Sequence, residues 1–186
     1  LRALFMANTV KLHDLEFMPY LTERELGVIV SDLATRINEK YKGRSPLFVV
    51  VLNGAFMFAS DLMKEVTVDC EVSFLRVSSY RGTASTGEVK EMMPIGTDVS
   101  GRDVVLLEDI VDTGKTMGEI KRKMLENNAS SVSICTLLYK PDAFQGDYMV
   151  DLIGKEIPDR FVVGYGLDYD GLGRNLPSLY QIKPKS

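Results

Sequence analysis

Apolar positions along the chain switch between two spacings. Leu26, Ile29, Val30, Leu33 and Ile37 recur every three or four residues behind Thr22-Glu23-Arg24-Glu25, a capping box, so a helix is expected from there to about Lys42-Gly43. Leu47-Phe48-Val49-Val50-Val51-Leu52 is instead an unbroken apolar run, the pattern of a buried parallel strand. It runs into Asn53-Gly54-Ala55 and a second helix expected over Phe56 to Lys64. Cys70 to Val77 alternates partly and reads as a strand. A second apolar run, Val104-Val105-Leu106-Leu107, stops at Glu108 and Asp109 and reaches a turn at Asp112-Thr113-Gly114-Lys115-Thr116. A helix from Thr116 to about Glu126 then places Met117, Ile120 and Met124 on one face, and Val132 to Tyr139 is another strand, closed by Lys140-Pro141. Residues 6 to 20 show no clear period and contain Pro19; they read as an arm packed on the domain. Strands alternating with helices imply an α/β fold.

Composition narrows the class. The 186 residues suit one domain, and 45% hydrophobic with 26% charged residues is the balance of an ordinary soluble globule. A net charge of −4 argues against nucleic-acid or anionic-membrane binding, which need a basic face. No apolar run approaches a membrane span. Leu1-Arg2-Ala3-Leu4-Phe5 is too short for a secretory signal and is read as an artificial remnant ahead of Met6. Cys70 and Cys135, without a C-x-x-C, read as reduced cysteines of a cytoplasmic protein. His13 is the single histidine, which disfavours a zinc site or a His-based triad.

The chemistry concentrates at the second apolar run. In an open α/β sheet ligands bind beyond the carboxyl ends of the strands, so Glu108 and Asp109 are expected at a pocket rim, where they can accept from sugar hydroxyls or hold a hydrated Mg²⁺. Asp112 to Thr116 offers backbone N–H groups, two hydroxyls and a glycine at a helix N-terminus, which favours a phosphate. Gly114-Lys115-Thr116 is not the end of a P-loop, because that motif needs glycine where Asp109 stands. No G-x-G-x-x-G follows a strand, so a dinucleotide fold is unsupported. The stretch reads as a phosphorylated-sugar site.

Four apolar residues, two acids, two apolar residues and then D-T-G-K-T resemble the phosphoribosyl-diphosphate signature of the type I phosphoribosyltransferases. Phe161-Val162-Val163-Gly164-Tyr165-Gly166-Leu167-Asp168-Tyr169, with Arg174 beyond it and Leu138-Tyr139-Lys140 before it, resembles the hypoxanthine-guanine branch. The resemblance implies a parallel five-stranded sheet flanked by helices, a core of about residues 22–165, a small hood from about 6–20 and 166–186, and a homodimer or homotetramer. It implies Mg²⁺-dependent transfer of the phosphoribosyl group from phosphoribosyl diphosphate to N9 of hypoxanthine or guanine, giving IMP or GMP and diphosphate.

It also distributes roles. Glu108, Asp109, Asp112, Thr113, Gly114, Lys115 and Thr116 would hold the phosphoribosyl group; Glu108, Asp109 and Asp168 would meet metal. Asn53 and Gly54 would form the diphosphate loop with Arg174 as its cation. Asn53 departs from the family's usual lysine, and the peptide before that position is often cis in the family, a point open for Leu52-Asn53. Ser79 and Tyr80 would belong to a mobile catalytic loop over about 78–97. Lys140, Phe161, Val162 and Asp168 would bind the purine, and Asp112 would exchange the N7 proton, with helix capping as its competing role. Rival readings are a different base, xanthine or uracil, or a nucleotide-binding regulator.

Overall fold

A computed structural model describes residues 9–79, 89–93 and 96–184. Its larger sheet is laid down by the apolar runs. β3 (Leu47–Leu52) is buried along nearly its whole length and pairs in parallel with β4 (Glu71–Ser79) on one side and β6 (Asp103–Val111) on the other. β6 pairs in parallel with β7 (Ser131–Tyr139), and β7 with β8 (Leu152–Glu156). Five parallel strands result, with β5 (Val89–Met93) added antiparallel outside β4.

Alternation along the strands divides the core between two faces. Phe48, Val50, Val105 and Leu107 face α1 (Glu23–Lys40) and α2 (Phe56–Glu65), meeting Leu26, Leu33, Phe58 and Leu62. Val49, Val51, Val104 and Leu106 face α3 (Lys115–Glu126), meeting Met117, Ile120 and Met124. Each such side chain stabilises the fold by roughly 1.5–3 kcal/mol relative to exposure. The capping box opens α1 as expected: Thr22 accepts from the Glu25 N–H, and the Glu25 carboxylate accepts from Thr22.

A second, antiparallel sheet joins the chain's two ends in the order β1 (Val10–Leu12), β2 (Leu15–Leu21), β10 (Leu179–Ile182), β9 (Val162–Val163). The arm expected before residue 20 is therefore a hairpin. Two further expectations are corrected. β6 does not stop at Glu108: its ladder to β7 continues through Ile110 and Val111, so both acids lie inside a strand. The polar segment expected to run from 78 to 97 as a loop contains β5. Val162 and Val163 pair in the second sheet, and the fifth parallel strand is the more polar Leu152–Glu156. Among the described residues, no helix is long and apolar enough to cross a membrane.

Candidate active site

Because β3, β6 and β7 are parallel neighbours, the segments leaving their carboxyl ends converge, and the 161–174 segment lies across them. The cavity between them, about 250 Å³, is lined by Gly54, Asp109, Asp112, Lys140, Phe161, Val162, Asp168 and Arg174, together with Ile110 and Leu167. The sequence reading names the first eight. The last two lack a polar signal. Tyr80 lies outside the described residues, and of Ser79 only the strand backbone is described.

Neighbouring residues of a strand point to opposite faces, and this separates the two acids. Asp109 lies on the α1–α2 side, buried, its Oδ1 accepting from the Ile110 N–H at 2.8 Å. Glu108 is not among the cavity-lining residues; its Oε2 is buried without a hydrogen-bond partner. Asp109 thus meets the cavity as expected, though from within the strand, and Glu108 does not. Burial, then the adjacent Asp109 charge, push Glu108 well above the usual carboxylate range.

Burial also pushes Asp109 up to about 6, with the Asp168 charge adding to it and Arg174 opposing it. Folding thus disfavours ionised Asp109. Between the ordinary value of 3.8 and about 6 the folded chain holds a proton that the unfolded chain has released, so stability falls as pH rises through that window, and the full cost persists above it. Asp109→Asn removes the cost. The ligand-free variant is expected to gain on the order of 2 kcal/mol near pH 7.5 and nothing near pH 3.5. Denaturant midpoints at the two pH values check this; an equal change at both would contradict it.

Lys140 sits at the end of β7 with 6% of its surface exposed. Its Nζ donates to Asp112 Oδ2 and to Asp159 Oδ1, each at 3.0 Å. Burial pulls its pKa down, but the two carboxylates outweigh that and hold it above the ordinary lysine value. No side chain caps α3, whose N-cap is Gly114 at φ +79°, so Asp112 is engaged with Lys140 and not with the helix end. Asp159 had no signal in the sequence: it is a lone acid after Pro158, on a loop.

The turn from Thr113 to Thr116 adjoins the cavity without lining it. It is held from outside by the segment after β7, where the Gln145 N–H donates to the Thr113 carbonyl and the Tyr148 hydroxyl to that of Gly114. Across the cavity Arg174 pairs with Asp168 at 2.6 Å, and its Nη1 donates to the Gly166 carbonyl at 2.7 Å. Phe161 is partly exposed and meets Tyr169 edge to face.

Two glycines permit this closeness. A Cβ on Gly54 would collide with the Asp109 carboxylate, and one on Gly166, at φ +102°, with the Gly54 carbonyl. The Leu52-Asn53 peptide is cis. Asn53 is exposed and does not line the cavity.

Comparison with known proteins places this arrangement. Residues 20–170 match the phosphoribosyl transferase domain. The chain belongs to the phosphoribosyltransferase family. Within the family it is 40% identical to the hypoxanthine-guanine phosphoribosyltransferase of Staphylococcus aureus over 166 residues, 89% of this chain and 93% of that one. It is 40% identical to the Bacillus subtilis enzyme of the same name, over 92% of this chain and 96% of that one. A crystal structure of a hypoxanthine phosphoribosyltransferase from S. aureus superposes with a TM-score of 0.86 at 40% identity, covering 92% and 93% of the two chains. The family's five parallel strands and flanking helices are those described above.

Proposed function

We propose that the chain is a purine-salvage enzyme that transfers the 5-phosphoribosyl group from phosphoribosyl diphosphate to N9 of hypoxanthine or guanine, giving IMP or GMP and diphosphate. The observation that carries this reading is Lys140, a buried ammonium lining the cavity that also holds Asp112, Phe161, Asp168 and Arg174. An ammonium donates only, so it selects a purine with an acceptor at position 6. Adenine would set two donors against each other, and a buried donor left unpaired costs about 1–3 kcal/mol.

The remaining residues follow the path of the substrate. Phe161 stacks on the base, and backbone carbonyls near Val162 and Asp168 accept from N1 and a 2-amino group. Asp112 exchanges the N7 proton. Free amides of Thr113 to Thr116, at the positive end of α3, take the 5′-phosphate. Asp109, which lines the cavity, serves the ribose hydroxyls, with Glu108 behind it on the other face of the strand. Asn53, Gly54 and Arg174 receive the diphosphate, with the backbone at 53–54 doing what a lysine side chain does elsewhere in the family.

The acids suit Mg²⁺. Among the described residues no three His, Cys, Asp or Glu side chains form a cage. The Asp168 charge nevertheless disfavours that of Asp109 across the cavity, a cost a cation relieves. Mg²⁺ binds through one or two carboxylates, phosphate oxygens and water, which matches such an open set; Asp109 and Asp168, with Glu108 nearby, would hold it. When bound it neutralises charge developing on the diphosphate. Free Cys70 and Cys135 support a cytoplasmic setting, and a homodimer or homotetramer completes the reading.

Steady-state nucleotide formation with hypoxanthine, guanine, xanthine and adenine in parallel tests it. Turnover of the first two and none of adenine is expected. Absence of turnover with every base, despite nucleotide binding, would move the reading to a regulator and make Asn53 the first suspect.

A further inference from the structure

Taking Lys140 as the reader of the 6-oxygen, as above, the two carboxylates on its ammonium call for different explanations. Asp112 is the acid–base group. Asp159 is not among the cavity-lining residues, and its hydrogen bond and ion pair are with Lys140. Its side chain is 62% exposed, whereas that of Lys140 is 7% exposed, so Lys140 is the partner that depends on the pair. A buried ammonium must satisfy its donors, of which it has three. Asp112 and Asp159 take one each, and the third remains for the cavity.

Among the described residues Asp112 and Asp159 are the two carboxylates paired with Lys140, so removing Asp159 would leave the ammonium, already 3.0 Å from Asp112 Oδ2, held from one side only. Nζ would then be free to turn about that one contact and away from the base edge. The chain builds the second contact deliberately. The Ile157 N–H donates to the Tyr139 carbonyl at 2.8 Å, bringing the loop after β8 beside the end of β7. The Arg160 N–H donates to the Pro158 carbonyl at 2.7 Å, and Arg160 Nη1 donates to Gln181 Oε1 at 3.1 Å, fixing the turn around Asp159 from both sheets.

We propose that Asp159 is a positioning residue for purine specificity, sharing the Lys140 ammonium with Asp112 so that its third N–H faces the 6-position of the base. Its effect should therefore appear only with ligands carrying an acceptor there.

Equilibrium dissociation constants of IMP and AMP for the full chain, Asp159→Ala and Asp159→Glu test this without chemistry. The unaltered chain is expected to prefer IMP. In Asp159→Ala, IMP should bind about tenfold more weakly, the weight of one charge-assisted hydrogen bond, with AMP unchanged. Asp159→Glu should restore most of the ratio. Both variants should melt close to the parent, since the substituted side chain is mostly solvated. An IMP-to-AMP ratio unchanged in folded Asp159→Ala, or equal loss of both nucleotides, overturns the positioning role while leaving the function intact. No preference for IMP in the unaltered chain would overturn the Lys140 reading and the proposal with it.

Discussion

Asp112→Asn is expected to lower kcat for hypoxanthine by about 10²–10⁴-fold, the usual weight of a positioned acid–base group. Asparagine keeps the size of the side chain and an oxygen that can accept from Lys140 Nζ, which lies 3.0 Å from Asp112 Oδ2. It cannot take a proton. Asp112 does not cap α3, so the helix should not be weakened. The effect should fall on kcat, with KM for phosphoribosyl diphosphate nearly unchanged, because the phosphate-binding amides come from the backbone that follows. Steady-state kinetics with both substrates varied provides the check. A near-normal kcat would remove the proton-transfer role.

Lys140→Met should act on recognition. Methionine fills the same channel at similar length but donates nothing, so a 6-oxygen would meet an apolar group. The expected loss in kcat/KM is about 10²-fold for hypoxanthine and guanine alike, the upper range for a hydrogen bond to a charged donor. Adenine should become less disfavoured relative to hypoxanthine. The fold should tolerate the change, since Asp112 and Asp159 are half-exposed or more and can hydrate when the ammonium goes. The comparison is kcat/KM for three bases on parent and variant, with a melting curve for each. Retained exclusion of adenine would assign specificity to other groups.

Much of the framework was legible because burial writes itself into composition. β3 could be read residue by residue, since a strand covered on both faces can hold nothing but apolar side chains. β8 could not: Leu152-Ile153-Gly154-Lys155-Glu156 lies at a sheet edge, where half-exposed positions admit lysine and glutamate. The β1–β2 hairpin was missed for a related reason, since Met18 and Pro19 interrupt the alternation and the hairpin is completed by β10, far away in the chain. The overrun of β6 past Glu108 and Asp109 depends on pairing with β7, which no local pattern encodes.

The candidate site shows the same division. Asp112 and Lys140 follow apolar runs, whereas Asp168 is legible only through the resemblance of residues 161–169 to the family's pattern. Parallel pairing of β6 with β7 then brings Asp112 and Lys140, 28 positions apart, into contact. Asp159 had neither periodicity nor motif to mark it, and its meaning lies wholly in the lysine it faces. Glu108 was legible as an acid but not in its direction, which the strand's alternation decides.

The contact among Gly54, Gly166 and Asp109 bears on which sequences this architecture can accept. The carboxylate of one segment and the backbone of another occupy the volumes that side chains at 54 and 166 would fill. Tolerance there is governed by exclusion and not by chemistry. A saturation library selected for activity should leave both positions almost invariant although neither offers the substrate a side chain, while Asp159, which is solvated, should drift more freely under selection for folding alone. Inheritance at this junction is thus a record of space already taken.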